Sequence, residues 1–223
     1  MAIISWAKWS RDECRERVSM NVELDQVVMF ALKRAERIDK ELWKLLDGLD
    51  LMNSDRHRLA AGAFMVAMDV HASIFVLIKR GNHPSAFVLS RSIWEATIRG
   101  YWLLKCATDE QLESFINDKS DRKTWHMIRE LEQSGGFTAD TLSSIHSSNW
   151  KKLNAMNHVG GPLVVRCNSE RGIENNFEVP EILECLGHAS SNALLAAVGL
   201  TQAANKFELG KAIFDLQADA FGN

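Results

Sequence analysis

The sequence predicts an all-α fold, a helical bundle around a central antiparallel helix hairpin. Helix-forming residues dominate its 223 positions, alternating strand patterns are almost absent, and there are only three prolines. These prolines, Pro84, Pro162 and Pro180, separate long runs of Ala, Leu, Met, Glu, Lys and Arg. No low-complexity or Pro/Gly/Ser-rich linker divides the chain, so we expect a single domain over residues 1–223.

The individual helices follow from apolar periodicity and from boundary residues. Residues 21–47 repeat apolar side chains at helical spacing and stop at Gly48. A second helix is expected at about 55–80 with Asp55 as its N-cap, and a third at about 84–106 with Pro84 in its first turn. The remaining helices are expected at about 109–119, 121–133, 139–157, 180–207 and 208–220.

The second and third helices are apolar around most of their circumference, which is typical of buried helices. The short turn RGNHP at 80–84 joins them, so we expect an antiparallel hairpin at the centre of the bundle. Residues whose numbers sum to about 164 should then lie level with one another. This register predicts Asp69 opposite Glu95 and Ser73 opposite Arg91.

Two further segments stand apart from these helices. Residues 1–20 form an amphipathic N-terminal segment without an obvious intrachain partner, and we therefore expect a homodimer. Residues 159–179 begin with the glycines of the sequence HVGGP and continue with the polar run NSERGIENN. This composition predicts a long surface loop. Loops of this length are uncommon inside compact domains and are often functional.

Composition narrows the classes of partner and compartment. Lys and Arg total 26 against 29 Asp and Glu, for a net charge of -3, so no global field attracts nucleic acid or anionic lipid. The four cysteines form no CxxC pair, which favours a reducing, cytoplasmic location. The longest apolar run, Leu59 to Ile78, is interrupted by Asp69, His71 and Ser73, so we expect a core helix and no membrane partner.

The first candidate site lies on the third helix. Arg91, Glu95 and Arg99 follow one another at four-residue spacing, along one stripe of an otherwise apolar surface. With Asp69 and Ser73 from the second helix, they are expected to meet inside the hairpin. Buried charges persist only when they are paired and hydrogen-bonded. Such a cluster is either a closed ion network that fixes helix register or a functional cleft.

The second candidate site lies on the helix at 139–157. His146, Trp150, Asn154 and His158 recur every four residues, and Asn157, Lys151 and Lys152 are their neighbours. One interpretation is a solvated face that ends in ordinary capping residues. The other is that His158 acts as an acid or base at the mouth of a pocket, because histidine is the usual proton carrier near neutral pH.

Other chemical motifs are absent or weak. The sequence has no phosphate-binding Gly-rich loop, no HExxH and no GxSxG. Cys185 and His188 lie one helical turn apart, and Cys167 and His158 could join them, but the paired spacing of zinc sites is missing. We therefore expect no metal and no other cofactor.

One stretch of the chain resembles a known group of proteins. The stretch RGNHPSAFVLSRSIWEATIRGYWLLKCATDEQLESFINDK, followed by LNAMNHVGG, looks like a group of bacterial all-helical proteins that are similar in outline to HEPN domains. The likeness covers about residues 55–165. HEPN domains carry Arg, four to six residues, and then His on one helix, whereas the nearest case here, Arg122 to His126, has three residues between them.

This resemblance implies a metal-independent ribonuclease of a toxin or antiphage defence system, acting as a dimer on RNA. The catalytic candidates are then Arg91, Glu95 and His158. The candidate binding residues are Asp69, Ser73, Arg99, Asn154, Asn157 and Lys151. Arg91 and His158 are expected to open onto one cavity, roughly 5 to 8 Å apart, where both can contact one phosphate.

The alternative is a non-enzymatic helical binding module, an immunity, antitoxin or sensor component that recognises a partner protein or a small ligand. The negative net charge and the missing one-helix motif favour this second class. The accessibility of Arg91 distinguishes the two hypotheses, since a fully paired and inaccessible Arg91 could not bind a phosphate.

Overall fold

The computed structural model describes residues 22–169 and 172–221, and in this part of the chain it is a helical bundle with a single isolated β-bridge, between Ser169 and Gly172. The prediction of an all-α bundle is confirmed. The helices are α1 (Val22–Leu46), α2 (Asp55–Lys79), α3 (His83–Lys105), α4 (Asp109–Ile116), α5 (Thr124–Gln133), α6 (Thr141–Asn157), α7 (Gly161–Val165), α8 (Val179–Ala203) and α9 (Phe207–Phe221). The predicted amphipathic segment 1–20 lies outside the described residues.

The α2–α3 hairpin forms as predicted, with Pro84 in the first turn of α3 and Gly81 in the connecting turn at φ 72°. The N-cap of α2 differs from the expectation. Ser54, not Asp55, occupies that position, and its hydroxyl oxygen accepts from the backbone N–H of His57 at 3.4 Å. Asp55 instead lies in the first turn, where its negative charge is favoured by the helix dipole.

A third helix completes the centre of the bundle. α8 packs against both α2 and α3 and also against α1 and α9, and most of its residues are buried. Its contact positions are small, and five of its alanines have no exposed surface, Ala189, Ala193, Ala196, Ala197 and Ala203. The sequence predicted only α2 and α3 at the centre, and the structure adds α8 to them.

Close approach of these three helices depends on the aromatic ring of Phe64 on α2. A Cβ atom added to Gly100 on α3 would lie 2.5 Å from Phe64 Cε1, and one added to Gly199 on α8 would lie 2.3 Å from Phe64 Cζ. Both distances are far below van der Waals contact. The ring of Phe64 is fully buried between the two glycines, and Tyr101 contacts its edge at a centroid distance of 4.9 Å.

The same contact confirms the predicted register of the hairpin. Phe64 and Gly100 lie level across α2 and α3, and their numbers sum to about 164, the value that the turn predicted. The helix that carries Phe64, α2, is the one described helix that is apolar and long enough to cross a membrane, with a mean hydropathy of 1.9 over its most apolar window. Its contacts with α3 and α8 are those of a core helix.

The predicted loop 159–179 contains a short helix, α7, that the sequence analysis did not anticipate. Pro162 starts it at a position where its missing N–H costs nothing. Beyond it, the guanidinium of Arg166 donates to both carboxylate oxygens of Glu181 on α8, at 2.7 to 3.1 Å. Phe177 stacks on Phe87 of α3 at 4.7 Å between ring centroids. These two contacts attach the segment to the bundle.

Substituting Gly199 with alanine is expected to lower the free energy of unfolding by about 1 to 3 kcal/mol, because the new methyl group must displace the ring of Phe64. Gly187→Ala is the matched control on the same helix, since a Cβ there meets no atom within 4 Å. That substitution should be neutral or stabilise the helix by up to ~1 kcal/mol. Urea unfolding followed by circular dichroism measures both. Equal effects of the two substitutions would contradict the role given to Phe64.

Candidate functional site

The guanidinium of Arg91 is the centre of a polar cluster between α3 and α6. Its Nε and Nη2 donate to Glu95 Oε1 one turn along α3, at 3.0 and 2.9 Å. Its Nη1 donates to Asn154 Oδ1 on α6 at 2.7 Å. The side chains of Arg91 and Glu95 are 19% and 26% exposed, so this ion pair is partly shielded from water. These three short contacts fix the orientation of Arg91.

The fourth contact joins Arg91 to His158, the C-cap residue of α6. Arg91 Nη1 lies 3.0 Å from His158 Nε2. A guanidinium has donors only, so Nε2 must accept and the proton of the neutral imidazole is on Nδ1. The contact as it stands thus presents His158 in the form of a base. His158 is exposed to solvent, so its side chain is able to move away from Arg91.

Aromatic rings on α3 and α6 form the wall of this cluster. The guanidinium carbon of Arg91 lies 4.7 Å from the ring centroid of Trp150, a cation–π contact. The ring of His146 lies tilted against Trp150 with 4.5 Å between centroids, and the indole N–H of Trp94 donates to His146 Nδ1 at 3.2 Å. Burial lowers the pKa of His146, and the nearby carboxylate of Glu95 opposes that shift. His146 is therefore a neutral acceptor within the wall.

The predicted partners from α2 do not join this cluster. Asp69 and Ser73 are exposed, and within the described part of the chain neither one contacts Arg91 or Glu95. The predicted alignment of α2 with α3 along the hairpin was right, but the prediction that these side chains face one another was wrong. At about 100° per residue, Arg91 lies about 180° around α3 from Gly100, the residue that contacts α2. Ser73 lies about 180° around α2 from Phe64 by the same count.

Three other predicted residues also lie apart from Arg91. The guanidinium of Arg99 lies 5.7 Å from the ring centroid of Phe115 on α4. Asn157 is half-buried and Lys151 is exposed, and in the described residues neither is hydrogen-bonded to the cluster. Sequence reasoning did identify Arg91, Glu95, Asn154 and His158, and the structure brings these four together.

A cavity lies beside the cluster, between α3, α6 and α8. Its volume is about 160 Å³, and its apolar lining consists of Phe87, Leu153 and Met156. Arg91 and His158 do not line it, so the expectation that both open onto one cavity is not met by this one. Their direct contact at 3.0 Å is also shorter than the expected separation.

The polar residues that line this cavity were not predicted from the sequence to form a ligand site. The ring of His188 on α8 donates from Nε2 to the backbone carbonyl of Ser90 at 3.1 Å. Burial lowers the pKa of His188, with the bond to Ser90 opposing the shift. Burial raises the pKa of Cys185 to about 11, so this thiol stays protonated and unreactive at neutral pH. Cys185 and His188 were considered only as metal ligands.

A second polar contact crosses the core away from this cavity. His71 on α2 lies 3.2 Å from Ser190 Oγ on α8, and its Nδ1 lies 3.9 Å from Asp39 Oδ1 on α1. The residue types Asp, His and Ser follow one another here as in the catalytic triad of a hydrolase. Ser190 and His71 are only 2% and 1% exposed, so no substrate can reach the hydroxyl. No group of three metal-binding side chains occurs among the residues that the structure describes.

Lowering the pH should destabilise the protein through His188. Its folded pKa lies below its unfolded value, so below about pH 6.5 the unfolded chain binds a proton that the folded chain does not. The free energy of unfolding should therefore fall as the pH falls through this range. His188→Gln keeps a donor for Ser90 and should flatten the dependence. Urea unfolding at pH 7.5, 6.5 and 5.5 measures it, and parallel curves for the two proteins would contradict the assignment.

Comparison with known proteins places the chain in a family but not in a functional class. No curated protein matches it, and no solved structure matches it. A family model, described as a family of unknown function (DUF6988), matches residues 64–220. This match extends from the middle of α2 into α9 and includes the whole Arg91 cluster and the cavity. Because it spans more than half of the sequence, the chain belongs to the DUF6988 family.

Proposed function

We propose that this chain is a HEPN-like, metal-independent ribonuclease, acting within a toxin or antiphage defence system, with Arg91 and His158 at its reaction centre. The observation that carries the proposal is the contact between Arg91 Nη1 and His158 Nε2 at 3.0 Å. HEPN domains carry their Arg and His on one helix, and here α3 and α6 supply the same two side chains from separate helices.

The chemistry follows from what each side chain can donate or accept. An incoming phosphate takes the Nη1 hydrogen that now points to His158, which frees Nε2 as a base. His158 removes the proton of the 2′-hydroxyl, and the 2′-oxygen attacks phosphorus while the bond to the 5′-oxygen breaks. The proton then passes from His158 to the leaving 5′-oxygen. The products are a 2′,3′-cyclic phosphate and a 5′-hydroxyl.

Arg91 stabilises the extra negative charge of the five-coordinate transition state, and its neighbours hold it in position. Glu95 and Asn154 bind three of its N–H groups, and Thr124 donates to Glu95 Oε1 at 3.4 Å. Trp150 covers one face of the guanidinium. An arginine held in this way loses little freedom when a phosphate binds, which is an advantage for catalysis.

One observation favours the second candidate, a non-enzymatic binding module for a protein or small ligand. Four of the five N–H donors of Arg91 have partners, and its side chain is only 19% exposed. A network this complete is sufficient to fix α3 against α6 without any catalytic role. The exposed position of His158 supports the enzyme instead, because a structural contact has no need of a solvent-facing imidazole.

His158→Ala and Arg91→Ala should each lower cleavage of a labelled single-stranded RNA by ~100-fold or more, the usual scale for losing an acid–base or charge-stabilising group. The assay contains EDTA, since the proposed reaction needs no metal, and circular dichroism checks that helical content is retained. His126→Ala is the control, because this histidine lies on α5 against Trp125 and away from the cluster. Unchanged cleavage in both variants would return the protein to the binding-module class.

The homodimer is part of the same proposal, because HEPN ribonucleases act as pairs. Large apolar side chains on α1 and α9 support it: Phe30, Phe207 and Phe214 are 69%, 64% and 56% exposed. Light scattering of the full chain should give twice the monomer mass at micromolar concentration. Phe30→Glu and Phe214→Glu should shift it toward the monomer, whereas a wild-type monomer would contradict the dimer.

A further inference from the structure

The cavity between α3, α6 and α8 has the size of a single aromatic ring. Its volume is about 160 Å³, and an apolar cavity of about 150 Å³ is known to admit benzene. The cavity is open to solvent on one side, so a ligand of two fused rings would extend beyond its lining. Phe87, Leu153 and Met156 supply flat and flexible apolar contacts to such a ring.

The lining also contains polar atoms that a plain hydrocarbon would leave unused. Because His188 Nε2 donates to Ser90, its Nδ1 must carry a lone pair, and within the described chain this nitrogen has no hydrogen-bond partner. Asn149 and Ser90 line the same space, but the amide nitrogen of Asn149 already donates to the carbonyl of Ile145 and the hydroxyl of Ser90 to that of Ala86. A ligand that fills the cavity therefore needs at least one N–H or amino donor for His188 Nδ1.

Two charged side chains stand where the cavity meets solvent. Lys152 on α6 and Glu184 on α8 form an ion pair, are 40% and 53% exposed, and both line the cavity. Together they offer one donor group and one acceptor group to the outer edge of a ring. Their charges cancel, so the mouth favours a neutral polar ring over an ion.

The cavity shares its walls with the Arg91 cluster. On α3, Ser90 lines the cavity and Arg91 follows it directly. On α6, Leu153 lines the cavity and Asn154 follows it directly. The two sites therefore occupy adjacent stripes of the same two helices, about 100° apart around each helix. A nucleotide can place its phosphate at one site and its base at the other.

We propose that this cavity is a pyrimidine-base subsite, which selects the nucleotide beside the cleaved phosphate. A pyrimidine is a neutral six-membered ring with N–H or amino donors for His188 Nδ1 and with further polar atoms for the charged pair at the mouth, and a purine would extend beyond the lining. The inference rests on the proposed ribonuclease function for its role, but base binding itself is measured without cleavage.

Fluorine NMR of the full-length protein tests the subsite with four probes: 5-fluorouracil, 5-fluorocytosine, 2-fluoroadenine and fluorobenzene. One or both pyrimidines should broaden and shift on adding protein, and 2-fluoroadenine and fluorobenzene should bind at least ~10-fold more weakly. Asn149→Trp fills the mouth of the cavity and should remove the pyrimidine signal change. Ser148→Trp is the matched control, because Ser148 is the exposed neighbour on α6 and does not line the cavity.

Each outcome decides the question. Binding of fluorobenzene at equal strength would show an apolar hole without base recognition, and equal binding of 2-fluoroadenine would remove the single-ring selection; either result overturns the subsite. So does the absence of any pyrimidine signal, or a signal that survives in Asn149→Trp. Arg91→Ala should still bind the pyrimidine although it no longer cleaves RNA. Failure of cleavage with intact base binding would thus overturn the ribonuclease alone, and the reverse would overturn the subsite alone.

Discussion

The contact of Phe64 with Gly100 and Gly199 is the constraint on which the rest of the structure depends. One ring fills the space that two side chains would otherwise occupy, and so α2, α3 and α8 approach at close range. The same contact fixes the rotation of α3 about its axis. With Gly100 facing α2, helical geometry turns Arg91 to the opposite side, toward α6. The position of the candidate site is thus a consequence of core packing on the far side of the same helix.

A contribution to folding stability does not explain the presence of the polar cluster. A partly buried ion pair loses hydration that its mutual attraction barely offsets, and apolar residues of similar size usually replace such pairs without loss. Glu95 and Asn154 already satisfy the guanidinium of Arg91. The additional contact with His158 uses a neutral acceptor, which stabilises a cation less than a carboxylate does. His158 is therefore the member of the cluster that packing explains least.

Much of the fold could be predicted from the sequence because its signals are local. Helix periodicity, three prolines and the glycine turns place most helix ends within a few residues, and the turn at 80–84 fixes the level of α3 against α2. The face could not be predicted, because both helices are apolar nearly all round and a level alone does not set a rotation. α8 is also apolar over most of its length, but its small residues do not show which helices it packs against, although they are what permits its central position.

The site was predictable in part for a related reason. Arg91 with Glu95, and Asn154 with His158, are each spaced by four residues on one helix, which a sequence displays directly. That these two pairs meet depends on the tertiary packing of α3 against α6, and the cavity beside them also depends on tertiary packing. His188 and Ser90 are 98 positions apart, and no local pattern connects them. A helix-end histidine and a buried one look alike in sequence, yet one is exposed and the other is held by a carbonyl.

The charges around the two sites also limit how any substrate is held. Arg91 is paired with Glu95, and Lys152 with Glu184, so Lys151 is the remaining cation of this α6 face among the described residues. A nucleic acid therefore meets little net positive charge, in a chain whose total is -3. Nonspecific binding to phosphates, which grows with the number of free cations, must be weak here. Under the proposed function, affinity would come from burial of a ring and from exchange of hydrogen bonds at Arg91, and of these two contributions the burial of the ring changes little with salt.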